Sequence, residues 1–322
     1  MPHVVVAEVV RSGLAESVHC GSVVALAADG SVEFAIGDVT SPMFPRSANK
    51  PIQAAAMLAH GLDLPDELIA LVAASHSGEP FHQDGVLRIL ATAGLPESSL
   101  QNTPGWPIDQ QEAVSYVRAG GQKTSLAADC SGKHAGMLVT CAVNDWPLES
   151  YCARDHPLQR AIAVEIEDLA GEAVAHTGVD GCGAPLFAVS LTGLATAFRS
   201  LAASDSGTAR RRVVDAIQRH PEWTSGTRRD EAQLIRGVPG LYGKGGAEGV
   251  YAVALDDGRA VALKIADGQQ RARPVVMAAA LRRLGIDAPV ISELSYAPVL
   301  GHGEPVGEIR AALFDQVSPT TR

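Results

Sequence analysis

The sequence predicts an α/β chain of the α+β kind. A single antiparallel sheet is built from its N- and C-terminal strands and flanked by helices, with a helical insertion between the two sets. Three observations carry this. β-Branched runs joined by Asp-Gly turns stand near the start and again near the end. The stretch between them places apolar residues at helical spacing. No repeat, low-complexity segment or clear linker divides the 322 residues. One unit over 1–322 is therefore expected, with 1–50 and 237–322 forming the sheet and 51–236 mostly helical.

The opening Met1-Pro-His-Val reads as an edge strand that continues over 4–10. A second strand over 22–27 turns at Asp29-Gly30 into a third over 32–36. Helical spacing follows over 51–60 and at 65–74, where Pro and two acids fill a first turn. It recurs over 84–93, 110–118, 134–143, 158–169, 189–201, 209–218 and 229–234. Strands return over 249–255 and 259–265, joined by Asp256-Asp257-Gly258. A helix over 271–284 and a last strand over 309–314 complete the chain.

A net charge of −10 argues against a nucleic-acid partner or an anionic membrane surface. The one basic run, Arg210-Arg211-Arg212, sits beside apolar Val213, Val214 and Ile217 and reads as a solvated helix face. No apolar run approaches the roughly 18 residues of a membrane span. The five cysteines are odd in number and widely spread, and no export signal opens the sequence. A cytoplasmic protein with reduced thiols is expected.

Of the 26 basic residues only five are lysines, and four of these lie in segments rich in Ser, Cys or Gly. Arginine stays protonated, whereas a buried lysine can lose its proton and act as a base. Lysine kept where arginine is otherwise used suggests chemistry that needs a neutral amine. Ser47-Ala-Asn-Lys50 is the only Ser-x-x-Lys in the chain. In a helical or 3₁₀ turn its two side chains share a face, the arrangement of a Ser-Lys nucleophile. The same four residues would also serve as an ordinary capped helix start. Ser75-His76-Ser77-Gly78 could supply a second hydroxyl and a proton shuttle, or simply end a helix. Gly243-Lys244-Gly-Gly reads as a loop whose amides can meet an oxyanion. It lacks the strand-then-helix setting of a dinucleotide fingerprint and the Ser/Thr of a P-loop. Cys130 and Cys182, with a nitrogen from Lys133 or His134, could hold a soft-to-borderline metal such as zinc.

Taken in order, these segments resemble one family, the asparaginase II proteins of rhizobial type, over nearly the whole chain. The resemblance is carried by Arg46-Ser-Ala-Asn-Lys50-Pro51, Ser75-His-Ser77-Gly-Glu79, Cys130-Ser-Gly-Lys133-His134, Asp180-Gly-Cys182-Gly, Lys244-Gly-Gly-Ala-Glu248 and Leu263-Lys264-Ile-Ala-Asp267-Gly268. It implies a serine β-lactamase-like fold and hydrolysis of L-asparagine to L-aspartate and ammonia. It implies two serine–lysine pairs, Ser47 with Lys50 and Ser77 with Lys244, Lys264 being the rival for the last place. It implies a zinc site of Cys130, Lys133 and Cys182, and substrate contacts from Arg46, His76, His134, Asp180 and Glu248. A homodimer is the family expectation. One departure is visible: glycine follows Lys244 where a β-lactamase Lys-Thr-Gly has threonine. Two other readings stand beside this one. A glutaminase differs by one methylene of substrate, a difference worth only about 1–3 kcal/mol. A non-catalytic zinc or thiol protein would have no use for paired hydroxyls and amines.

Overall fold

A computed structural model describes residues 4–312. Its strands are β1 (Val4–Arg11), β2 (Leu14–Leu26), β3 (Val32–Ile36), β4 (Pro42–Met43), β5 (His176–Val179), β6 (Pro185–Ser190), β7 (Leu241–Gly245), β8 (Val250–Leu255), β9 (Ala260–Ile265), β10 (Ala297–Gly301) and β11 (Glu304–Ala311). The main sheet runs β10-β11-β1-β2-β9-β8-β7, with β3 added beside β2. Every pairing in it is antiparallel. The α+β architecture predicted from the sequence is the one found: strands from both ends of the chain meet in one sheet, at β1–β11 and β2–β9. A smaller sheet, β4-β6-β5, lies apart from it.

The helices are α1 (Lys50–Ala59), α2 (Asp66–Val72), α3 (Pro80–Ala91), α4 (Gln110–Arg118), α5 (Ser131–Val143), α6 (Pro157–Ala170), α7 (Leu191–Ala202), α8 (Ala209–Arg219), α9 (Pro221–Thr224), α10 (Asp230–Gly237), α11 (Arg273–Arg283) and α12 (Pro289–Leu294). The β8–β7 end of the sheet is covered on both faces. Tyr242 of β7 stacks on Phe198 of α7 with centroids 5.2 Å apart. Tyr251 of β8 carries the guanidinium of Arg273, from α11, 4.6 Å above its ring. Tyr242 pairs with Ala254, three residues from Tyr251, so side-chain alternation sends the two tyrosines to opposite faces. Double coverage explains why β7 and β8 are buried along their whole length and show no in–out alternation. α1 is likewise buried from Lys50 to Leu58, packed among α5, α6 and α8.

Several expectations are corrected. β1 is no edge strand, since β11 and β2 flank it; the expectation for residues 1–3 lies outside the described residues. The glycine-rich stretch at Lys244 is strand β7, not a loop, because β8 supplies a full ladder to it. The start of the helix expected over 189–201 belongs to β6, with α7 following Ser190, whose hydroxyl accepts from Gly193 N. The final strand begins earlier, at Glu304, and pairs with an unforeseen β10; residues 313 and 314 lie outside the described region. No helix among the described residues is long and apolar enough to cross a membrane.

Candidate active site

A 3₁₀ turn, Arg46–Asn49, leads directly into α1. It presents Ser47 to a cleft and sends Lys50 inward. The residue after β7, Gly246, closes on this turn: a Cβ there would stand 2.6 Å from Pro45 O and 3.1 Å from Ala48 N. Only glycine allows that approach. The cleft has two lobes, of about 310 and 300 Å³. Both are lined by Ser47, Ile108, Asp129 and Ala247. Among the described residues, the amides of Ser47 and Ala247 donate no hydrogen bond.

Lys50 is 2% exposed. Its Nζ donates to Ala74 O at 2.6 Å and to Ser75 Oγ at 3.0 Å, with Asp129 Oδ2 at 3.7 Å. The hydroxyl beside this lysine is therefore Ser75, which also lines the cleft with Ser47. Ser77, the expected second serine, is turned away. It is 1% exposed, its Oγ donates to Ser225 O at 3.0 Å, and it packs beneath Gly226. The amides of Ser75 and Ser77 both bond to the 224–225 segment, which fixes this short loop after α2.

Lys244 is 1% exposed and donates to Gly245 O at 2.7 Å, with Glu231 Oε1 at 3.7 Å. Burial pulls its pKa down to about 8; Glu231 opposes this, while the charges of Lys50, Arg229 and Arg273 add to it. Lys264, the rival, is half-buried and donates to Glu248 O and Ile265 O. Its partners are backbone carbonyls at the far end of β9, and it does not line the cleft. Glu231 is a buried carboxylate that accepts from Gly245 N at 2.8 Å. Arg273 Nη1 lies 3.4 Å from its Oε1 and Arg229 Nη2 3.4 Å from its Oε2. Arg273 also grips both oxygens of Asp230 at 3.0 Å.

Arg46, held at a φ of +51°, donates through Nε to Asp180 at 2.8 Å. The two side chains line the first lobe but engage each other. Glu248 is exposed, 3.9 Å from Arg46 Nη1, and lines neither lobe. His76 does not reach the cleft. It is fully buried, its Nε2 contacts Ser131 Oγ at 2.8 Å, and it stacks on His82. Burial holds its pKa well below the usual histidine range.

Cys130 immediately precedes α5, one turn from His134, and Cys182 arrives from the loop between β5 and β6. The sulfurs and a His134 ring nitrogen lie within 4.8 Å of one another. Lys133 Nζ donates to Cys182 Sγ at 3.2 Å. The expected Cys–Lys–Cys set is thus together, and His134, expected to face substrate, joins it instead. The hydrogen bond from Cys130 pulls the Cys182 thiol far down, and the same bond pushes Cys130 up. Burial works against the Lys133 charge, but the sulfurs outweigh it and raise its pKa. Burial, then the Lys133 charge, brings His134 down to about 4. His134 Nδ1 meets Tyr151 Oη at 2.7 Å, which leaves Nε2 buried with no partner. Two sulfurs and an orphaned imidazole nitrogen fit a soft-to-borderline metal ion, and the Tyr151 contact supplies the outer support such a ligand needs.

Sequence reasoning missed Ser75, Asp129, Arg229, Glu231 and Arg273. Ser75 and Asp129 each adjoin a residue already singled out. Arg229 and Glu231 look like the first turn of a helix, and nothing local marks them as cleft residues.

The buried Lys50 and the hydroxyls of Ser47 and Ser75 thus meet at one cleft of an α+β fold. The sequence model of the L-asparaginase II family matches residues 7–311, and the chain belongs to that family. A search among curated proteins finds no match. Among solved structures the chain is similar to a β-lactamase from Mycobacterium bovis, at 14% identity and a TM-score of 0.44 over 81% of this chain and 94% of that one. It is similar to a putative β-lactamase from Bacteroides dorei, at 13% and 0.43 over 85% and 92%. It is also similar to Mglu in its tris and glutamate form, at 16% and 0.36 over 88% and 62%. These likenesses are distant, and the family assignment rests on the sequence match.

Proposed function

We propose that the protein hydrolyses the side-chain amide of L-asparagine through a serine acyl-enzyme. The observation that carries this reading is the fully buried Lys50, 3.0 Å from a serine hydroxyl in the cleft that Ser47 also lines. Ser47 attacks the amide carbon, and its proton passes by way of Ser75 Oγ to the Lys50 amine, which acts as the general base. The unpaired amides of Ser47 and Ala247 take the oxyanion, each donor worth about 3–4 kcal/mol. The proton then goes to the departing nitrogen and ammonia leaves. Water cleaves the β-aspartyl ester by the reverse path and regenerates Ser47. Lys244, behind Gly245, sets the charge around this relay.

Zinc is the ion we assign to Cys130, Cys182 and His134, with Lys133 alongside. When bound it supplies a fixed positive charge at the edge of the first lobe. A cytoplasmic homodimer is part of the same reading, and light scattering on the purified protein checks the dimer. The central test is ammonia release from L-asparagine and L-glutamine. Wild type should favour asparagine, Ser47→Ala should be inactive, and Lys50→Arg should be nearly so because a guanidinium does not give up its proton. Full activity in Ser47→Ala would remove the nucleophile, and equal rates on both amides would remove the asparagine assignment.

A further inference from the structure

The glycine that follows Lys244, where a β-lactamase has threonine, is required by the fold. A Cβ at position 245 would fall on Arg273 Nη1 and Glu231 Oε1. Gly245 pairs with Tyr251 across the β7–β8 ladder, and Arg273 lies over the Tyr251 ring. The guanidinium and the Glu231 carboxylate therefore fill the volume that a side chain at 245 would take. β7 is the last strand of the main sheet, and the Gly245 amide donates to Glu231 Oε1 at 2.8 Å instead of to a further strand. The same oxygen stands 3.7 Å from Lys244 Nζ and 3.4 Å from Arg273 Nη1. The other oxygen has Arg229 Nη2 at 3.4 Å. Glu231 is 1% exposed and lines neither lobe of the cleft. A carboxylate withdrawn from water keeps its charge only among cations and N–H donors, and here three cations and a backbone amide meet it.

We propose that Glu231 is a positioning residue: from behind the cleft wall, one of its oxygens both ties down the end of β7 and holds the Lys244 ammonium. The tie matters because β7 continues into Gly246, which abuts the turn carrying Ser47. The charge matters because Lys244 otherwise sits among cations. Burial brings its pKa to about 8, Lys50, Arg229 and Arg273 push the same way, and Glu231 opposes them. The other acids nearby, Asp230 and Asp129, are engaged by Arg273 and Lys50. With Glu231 neutralised, Lys244 gives up its proton at lower pH. The inference rests on the amidase reading above, which supplies the reaction that Lys244 modulates.

Two measurements on the full chain test it. The chain has only five lysines, so carbon-13 labelling of their side chains gives a simple NMR spectrum, in which Lys244→Arg identifies the Lys244 signal. Its titration midpoint should lie near pH 8 in wild type. In Glu231→Gln it should fall by about 1–3 pH units, the usual effect of an opposite charge within 4–6 Å. Glutamine keeps an acceptor for the Gly245 amide, so the strand end stays tied. Glu231→Asp keeps the charge and draws it back by one methylene. Its midpoint should move the same way by less, and it carries the test if the glutamine variant does not fold. In kinetics, the rise of ammonia release with pH should move with the midpoint in each variant. A purely structural role would lower the rate at every pH and leave the rise in place. A midpoint at the wild-type value in whichever variant folds overturns the proposal, and so does a rise that stays put while the midpoint moves. Absence of ammonia release from wild type would defeat the amidase reading alone, and the spectrum would still decide whether Glu231 governs Lys244.

Discussion

Three of the five lysines, Lys50, Lys133 and Lys244, are almost completely buried, and each faces a different partner: a hydroxyl, a thiol and a carboxylate. Burial penalises the ammonium, and neighbouring charge decides whether the penalty prevails. At Lys133 the sulfurs prevail. At Lys244 burial prevails and brings the pKa to about 8, below the ordinary lysine value near 10.4. The form that spreads less positive charge over the Lys50 relay is the neutral one, and its share grows as pH rises. Ammonia release should therefore climb as pH passes through about 8 and level off above it. Lys244→Arg keeps the cation at all these pH values, so its profile should lose that limb. A rate for the variant that still climbs through the same pH would assign the limb to another group.

At the level of elements, the site is where strand, turn and helix end converge. β7 touches the turn carrying Ser47 only because Gly246 has no side chain. Gly246→Ala should force β7 away from that turn, at about 1–3 kcal/mol of overpacking strain. Ammonia release should fall much further than the melting temperature; activity at the wild-type level would show that β7 need not touch the turn. The same element shows where sequence reading stops. β8 and β9 are legible in their Val, Ala and Leu runs, and the hairpin turn joining them in its Asp-Gly. Leu241-Tyr-Gly-Lys-Gly has little strand propensity, and its strand character comes from the ladder that β8 provides. β10 escaped notice for a related reason, since its half-exposed Ala297–Gly301 gains its order from β11.

Over the whole molecule, Ser47, the lysines and the two cysteines of the site were legible, and the hidden parts were how they pair and which distant charges join them. Ser75 and Ser77 stand two residues apart, and nothing local tells which one meets Lys50. The choice is made by contacts of the 75–77 loop with Thr224, Ser225 and Asp129. His134 likewise looks like a substrate contact until the fold brings Cys182 beside it. That meeting joins the start of α5 to the loop between β5 and β6, segments about 50 residues apart in sequence. A metal ion held there would bind the folded chain and not the unfolded one, so its binding energy becomes folding energy. Zinc at a hundred times its Kd should add about 2.7 kcal/mol, which for a chain of this length is a rise of roughly 4 °C in Tm. A chelator should reverse the rise, and Cys182→Ser should remove it while the apo melt stays near that of wild type. A melt indifferent to zinc and chelator alike would mean that the two sulfurs and the imidazole pack together without serving as ligands.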